Sequence, residues 1–314
     1  MLEFSFTKFA RLMGRFHLTE KENPKCGWVN SAVFLAFRGT AISMTAEDSD
    51  GQDYVEIVVD GVARNWINLK KGVHEYIIEQ GLPDGGSFLA PPAAKPLRLE
   101  YFGDSITDGA GIGHPHVLAE APHLDDGYMS YVGISARMLN AEYHTMAICG
   151  IGVWQDAVGF KQGLPEHFFG TLGKGTAPWD FSRYIPDGIV INLGQNDYST
   201  PIDDEAYIAA YIEFIRVILE KYNDPYIFCC VGTMNNNYLA SVNKVVTYFN
   251  QSGNRKVFVV DLGLIHPEVE GWGGRYHPGY QTHYRMGWEL ASFISANTGW
   301  ELLKRPLIAT ECVF

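Results

Sequence analysis

The pattern of apolar and polar positions changes near residue 97. Up to about residue 90 the chain runs in short stretches rich in β-branched and aromatic residues, such as "SAVFLAFRGTAISMTAED" and "YVEIVVDGVARNWINL", broken by turns. Asp60-Gly61, set between two apolar stretches, is a two-residue hairpin signal. No helical period appears in this part. "PDGGSFLAPPAAKP", Pro83 to Pro96, reads as a linker from its proline and glycine content.

From Leu97 onward, nearly continuous apolar runs recur: LRLEYF (97 to 102), YHTMAIC (143 to 149), GIVINL (188 to 193), YIFCCVG (226 to 232) and KVFVVDL (256 to 262). Strands of a parallel sheet covered on both faces need such runs. Between them lie helical patterns. Asp203 and Asp204 open a helix in which Ile208, Tyr211, Ile212, Ile215 and Leu219 recur at three- and four-residue steps, and Met286, Leu290 and Phe293 repeat the pattern near the carboxyl end. The chain is therefore expected to be α/β. A smaller β-sandwich domain with its linker covers 1–96, and a three-layer, doubly wound parallel-sheet domain covers 97–314.

Composition and charge narrow the partners. A formal net charge of −12, with no Lys/Arg-rich run to offset it locally, repels phosphate backbones and anionic lipid, so neither nucleic acid nor membrane is an expected partner. No run reaches the roughly 18 to 20 apolar residues that span a bilayer. "MLEFSFTKFARLMGRF" mixes charge in too early for the apolar core of a signal peptide. Cys26, Cys149, Cys229, Cys230 and Cys312 show no CxxC spacing, and several sit in apolar runs. They read as buried free thiols of a reducing compartment, which gives a cytoplasmic expectation. A secreted chain trimmed of its leader would read the same way.

Reactive sites of open parallel sheets lie beyond the carboxyl ends of the strands. After the first predicted strand comes Gly103-Asp104-Ser105, after the second Cys149-Gly150-Ile151-Gly152, after the third Gly194-Gln195-Asn196-Asp197, and after the last a loop reaching His277-Pro278. Acyl transfer needs these residue types. A serine hydroxyl is a weak nucleophile until a base takes its proton, and histidine suits that task at neutral pH. The oxyanion then needs preorganised donors, which glycine N–H groups and an asparagine amide can supply.

"GDSIT", the glycine after the second strand, "GQND" and a carboxyl-terminal "HP" occur in the order of the SGNH (GDSL-type) hydrolases, which the sequence resembles. The leading sandwich, "WDFSRYIPDGIVINLGQND" and "HPGYQTHYRMG" look like carbohydrate esterase family 2, the two-domain acetyl esterases with a jelly-roll-like first domain. The resemblance implies Ser105 as nucleophile, His277 as general base and then acid, and an oxyanion hole of the Ser105, Gly150 and Asn196 N–H groups. Gly152 is the alternative to Gly150, and His283 the alternative to His277. The implied reaction is removal of O-acetyl groups from a carbohydrate through an acyl-enzyme, without cofactor. A lipid or aryl esterase, or a carbohydrate-binding protein that kept the fold and lost the chemistry, are the competing readings.

Two departures qualify the resemblance. Where the family often has an aspartate two residues before the histidine, this chain has Arg275; the resemblance to members of the family that work with a Ser-His dyad, a backbone carbonyl holding the ring, implies that arrangement here, ahead of Glu268 or Glu270 as partners. The stretch between Gly81 and Leu97 is also shorter than in relatives. His114, His116 and His123 have no recognised ligand spacing, so no metal is expected. Asp104, Trp154, Trp179, Trp272 and Tyr276, near the proposed rim, are candidate substrate contacts.

Overall fold

The computed structural model describes residues 6–18, 23–80, 87–113, 125–200 and 202–303. A single helical turn, α1 (Phe6–Phe9), precedes a set of antiparallel ladders. β1 (Ala10–Met13) pairs with β4 (Ala32–Leu35), and β2 (His17–Leu18) pairs with β3 (Pro24–Lys25). β5 (Phe37–Arg38) pairs with β10 (Ser87–Phe88), β6 (Ala41–Asp48) with β9 (Gly72–Gln80), and β7 (Tyr54–Val59) with β8 (Val62–Asn68). Exposed and half-buried residues alternate along β6, the period-2 signature of a strand with one inward face. The Asp60-Gly61 hairpin forms as expected. Both residues have positive φ, 52° and 81°, which the tight turn between right-twisted strands requires.

Two expectations need correction here. α1 lies where no helix was expected. Ser87–Phe88, inside the stretch read as linker, is strand β10, because a two-residue ladder against Phe37–Arg38 leaves no periodic trace in sequence. Pro83 to Gly86 of that stretch lie outside the described residues.

The second half is a five-stranded parallel sheet in the order β12-β11-β13-β14-β15. The strands are β11 (Leu97–Gly103), β12 (Ala141–Ala147), β13 (Gly188–Asn192), β14 (Tyr226–Thr233) and β15 (Val257–Leu264). Alternate residues face opposite layers. Leu99, Tyr101, Val190, Phe228 and Cys230 pack with α3 (Tyr131–Met138) and α8 (Tyr280–Thr298). Phe102, Ile189, Ile191, Ile227 and Cys229 pack with α5 (Asp204–Lys221) and α6 (Leu239–Gln251). This is the three-layer sandwich expected of the SGNH fold. α5 begins where Asp203 and Asp204 place it, but its buried face is Tyr207, Tyr211, Phe214, Ile215 and Ile218, with Ile208, Ile212 and Leu219 at the margins. Three short helices, α2 (Ser105–Asp108), α4 (Gln195–Ser199) and α7 (Pro267–Glu270), stand at the loop ends of the strands.

Charged and polar side chains join the two halves. Arg15, just after β1, is 1% exposed and reaches Glu100 of β11 at 3.0 Å. Trp28 donates its indole N–H to the Thr171 carbonyl at 2.8 Å, and Arg183 donates to the Phe16 carbonyl at 3.1 Å. Among the described residues no helix is long and apolar enough to cross a membrane.

Candidate active site

β11 ends at Gly103, and the chain turns at once into α2, with Ser105 as the first helical residue. Asp104 is the N-cap. Its Oδ1 accepts the Ile106 N–H at 3.0 Å, so the motif's Asp is the capping residue that lets the helix start at the serine. First-turn N–H groups have no acceptor within their own helix, so the Ser105 N–H is available to a ligand. Asp104 is fully buried, and burial pushes its carboxyl up to about 7. The expectation that it contacts substrate is corrected: it lies behind the serine, accepting from Asn196 Nδ2 at 3.1 Å.

His277 lies 172 positions later in the chain, yet its Nε2 is 2.9 Å from Ser105 Oγ. Its Nδ1 is 3.0 Å from the Arg275 carbonyl oxygen. A carbonyl only accepts, so Nδ1 carries the proton and Nε2 is left to accept from the serine hydroxyl. This is the tautomer a general base needs. Burial lowers the imidazole pKa, and the bond to the Arg275 carbonyl opposes that shift. The carbonyl is aimed by a left-handed backbone, with φ 54° at Arg275 and 57° at Tyr276. L-residues adopt that conformation at a cost of roughly 1–2 kcal/mol each.

Glu268 and Glu270 are corrected as partners of His277. Glu270 is bound by Arg285, Thr282 and the His266 N–H, and Glu268 faces His266 at 3.9 Å. His283 is fully buried within α8, accepts the Tyr131 N–H at 3.1 Å and is lowered to about 3 by burial, so it is part of the core.

The loop after β12 is drawn to the serine turn. The Ile148 N–H donates to the Gly103 carbonyl at 3.3 Å, and Asn196 Nδ2 donates to the Ile151 carbonyl at 2.8 Å. Gly150 has φ 80°, and an added Cβ there would meet nothing nearer than Ala157 Cβ at 4.0 Å. At Gly152 the reverse holds, because a Cβ would fall 2.2 Å from Asp197 Oδ2. Gly150 therefore faces open space, whereas Gly152 is pressed against Asp197. Both protons of the Asn196 side-chain amide are engaged, by Asp104 and by Ile151. The backbone N–H of Asn196, in the first turn of α4, has no acceptor within its own helix.

Sequence reasoning passed over Asp197. It is fully buried and accepts the N–H groups of Val153, Trp154 and Gln155 at 2.8, 2.9 and 3.2 Å, which fixes the loop that carries Gly150. It also passed over Asp125 and Asp108. Asp125 accepts the Gly111 N–H at 2.7 Å and pairs with Arg275 at 3.3 Å. Asp108 is raised to about 7 by burial and by Asp125, and it sits 3.8 Å from Cys149 Sγ. Cys149 and Cys26 are exposed, so the expectation of buried thiols holds for Cys229 and Cys230 alone among the described cysteines. Cys312, and the three histidines His114, His116 and His123, lie outside the described residues.

Of the aromatic candidates, Trp272 and Tyr276 lie in the loop that leads into His277, are 37% and 62% exposed, and stand edge to face at 6.0 Å. Trp154 is half-buried with the Lys161 ammonium 4.0 Å from its ring centre. Trp179 is corrected. It is buried, 5% exposed, with the guanidinium groups of Arg15 and Arg183 5.1 and 4.9 Å from its ring centre, which leaves little of the ring open to a substrate.

Residues 101–284 match the GDSL-like lipase/acylhydrolase family, and the chain belongs to it. Residues 12–87 match the carbohydrate esterase 2 N-terminal family. A solved family two carbohydrate esterase from Clostridium thermocellum, in complex with cellohexaose, is 31% identical, with a TM-score of 0.89 over 93% of this chain and 99% of its own. Within the larger family the chain is thus a member of carbohydrate esterase family 2. Cellulase/esterase CelE of Acetivibrio thermocellus is 32% identical over 91% of this chain, which spans 39% of the length of CelE. An acetylxylan esterase / glucomannan deacetylase of Cellvibrio japonicus is 24% identical, over 92% of this chain and 89% of its own length. Est2A of Butyrivibrio proteoclasticus, an acetyl xylan esterase, shares the fold with a TM-score of 0.85 at 19% identity.

Proposed function

We propose that the protein is a serine esterase that removes O-acetyl groups from a carbohydrate through an acyl-enzyme. The observation that carries this reading is the His277 imidazole, 2.9 Å from Ser105 Oγ on one side and held by the Arg275 carbonyl on the other. Ser105 attacks the acetyl carbonyl as His277 takes its proton. The N–H groups of Ser105, Gly150 and Asn196 receive the oxyanion. The imidazolium then protonates the departing sugar oxygen, and water repeats the sequence to release acetate. Residues 97–314 form the hydrolytic unit in this reading, with 1–96 a β domain packed against it.

The carbohydrate assignment is supported by the relatives, which are named for acetylxylan, glucomannan and cellulose chemistry, and by the exposed pair Trp272 and Tyr276 beside the histidine. Sugar rings present C–H faces that stack on such rings. A serine-directed phosphonate is expected to label Ser105 and abolish acetate release from acetylated xylan or glucomannan. Ser105→Ala is expected to lower kcat by roughly four to six orders of magnitude. Labelling of another serine with activity intact would refute the assignment.

A further inference from the structure

We infer that Asp125 is the positioning carboxylate of this site. It acts on His277 through Arg275 and Gly111, at one remove from the place where a triad aspartate would touch the ring. The inference rests on the reading of His277 as the base. Arg275 has two tasks that conflict. Its carbonyl must hold Nδ1 of His277, which needs the left-handed backbone of Arg275 and Tyr276, and its guanidinium brings a positive charge close to a ring that must itself become positive. Strained backbone persists where its surroundings over-determine it.

Asp125 supplies that determination. Its Oδ1 accepts from Arg275 Nη2 at 3.3 Å and from the Gly111 N–H at 2.7 Å. The Gly111 carbonyl in turn accepts the Gly274 N–H at 2.6 Å, and the Gly274 carbonyl accepts the His277 N–H at 3.0 Å. The neighbouring Asp126 N–H donates to the carbonyl of Gly109, the residue that caps α2 behind Ser105. One short segment therefore braces both the turn that carries the nucleophile and the loop that carries the base. Asp125 also offsets the guanidinium charge that opposes an imidazolium. The other titratable groups nearby are Asp108 with Cys149 beyond Asp125, and neutral His283 on α8.

The test measures kcat, KM and the pH profile of kcat/KM on an acetate ester for Asp125→Asn, Asp125→Ala, Arg275→Ala, the double alanine variant and His277→Ala. Asp125→Ala and Arg275→Ala are each expected to lower kcat roughly tenfold to a hundredfold, by analogy with the loss seen when the outer partners of metal-bound histidines are removed, with KM within about twofold. The double variant is expected to lose about as much as either single one, because the two residues form one connection. Asp125→Asn keeps an acceptor for Gly111 and loses the charge, so the acid limb should move to lower pH, whereas Arg275→Ala should move it to higher pH. A packing role alone would not shift the limb in opposite directions. If Asp125→Ala fails to fold, the isosteric Asp125→Asn decides through its acid limb. Unchanged kcat and acid limb in the Asp125 variants, with His277→Ala inactive, would overturn the inference alone. An active His277→Ala would overturn the underlying reading with it.

Discussion

Asp104 shows how a residue next to the chemistry can be governed by burial. It caps α2 and accepts from Asn196, yet desolvation holds its carboxyl at about 7, above the ordinary 3.8. Linkage gives the sign. A folded pKa above the unfolded one contributes stability that is complete below pH 4 and is lost as pH rises toward 7. Asp104→Asn keeps an acceptor for the Ile106 N–H and removes the titration, at the constant cost of turning one amide toward the amide of Asn196. The variant should therefore gain on the wild type as pH rises from 5 to 8, as read from urea midpoints at both ends. His144 and His283, lowered to about 3 by burial, give a slope of opposite sign, but both proteins share it and it cancels in the difference. Parallel pH dependences would show that Asp104 stays ionised throughout.

The loop after β12 takes its shape from α4 through Asp197, which gathers three consecutive N–H groups. Gly152→Ala would put a Cβ 2.2 Å from Asp197 Oδ2. Overpacking of that kind costs roughly 1–3 kcal/mol, and relief must come from moving the loop that holds Gly150. We expect a fall in kcat larger than the stability loss explains, measured at a temperature where the variant is fully folded; wild-type kcat would mean the loop yields elsewhere. The sheet that carries these loops was legible in sequence because a parallel strand covered on both faces writes a continuous apolar run. The rim residues were legible because strand ends concentrate the site. Asp197 stood in the quoted "GQND" without a readable role, since its partners lie 42 to 44 positions away. Asp125 follows a stretch with no period, and its importance comes from a left-handed carbonyl that no pattern records. Glu100 passed as part of an apolar run because its partner, Arg15, is 85 positions distant.

That ion pair belongs to the scale of the whole molecule. Arg15 donates to Glu100 Oε1 from Nη2 at 3.0 Å and to the Phe168 carbonyl from Nη1 at 2.6 Å, and its guanidinium lies against the rings of Phe168, Trp179 and Phe181. Tyr222 donates to the other Glu100 oxygen at 2.7 Å. Buried Trp179, read from sequence as a candidate substrate contact, is thus part of the cage around an arginine that anchors the first domain to β11, a strand paired on both sides in the sheet of the second. A buried pair of this kind is a weak source of net stability, because desolvation offsets attraction, but removing one partner strands a charge and costs roughly 3–5 kcal/mol. Arg15→Ala should therefore unfold much of the protein at 37 °C and carry the two halves down together in a single transition. Arg15→Met combined with Glu100→Leu, which removes both charges and keeps apolar volume, should recover most of the loss. If the double variant is as unstable as Arg15→Ala, the stranded carboxylate is not the cause. The rings and carbonyls around Arg15 would then be what joins the first domain to the sheet.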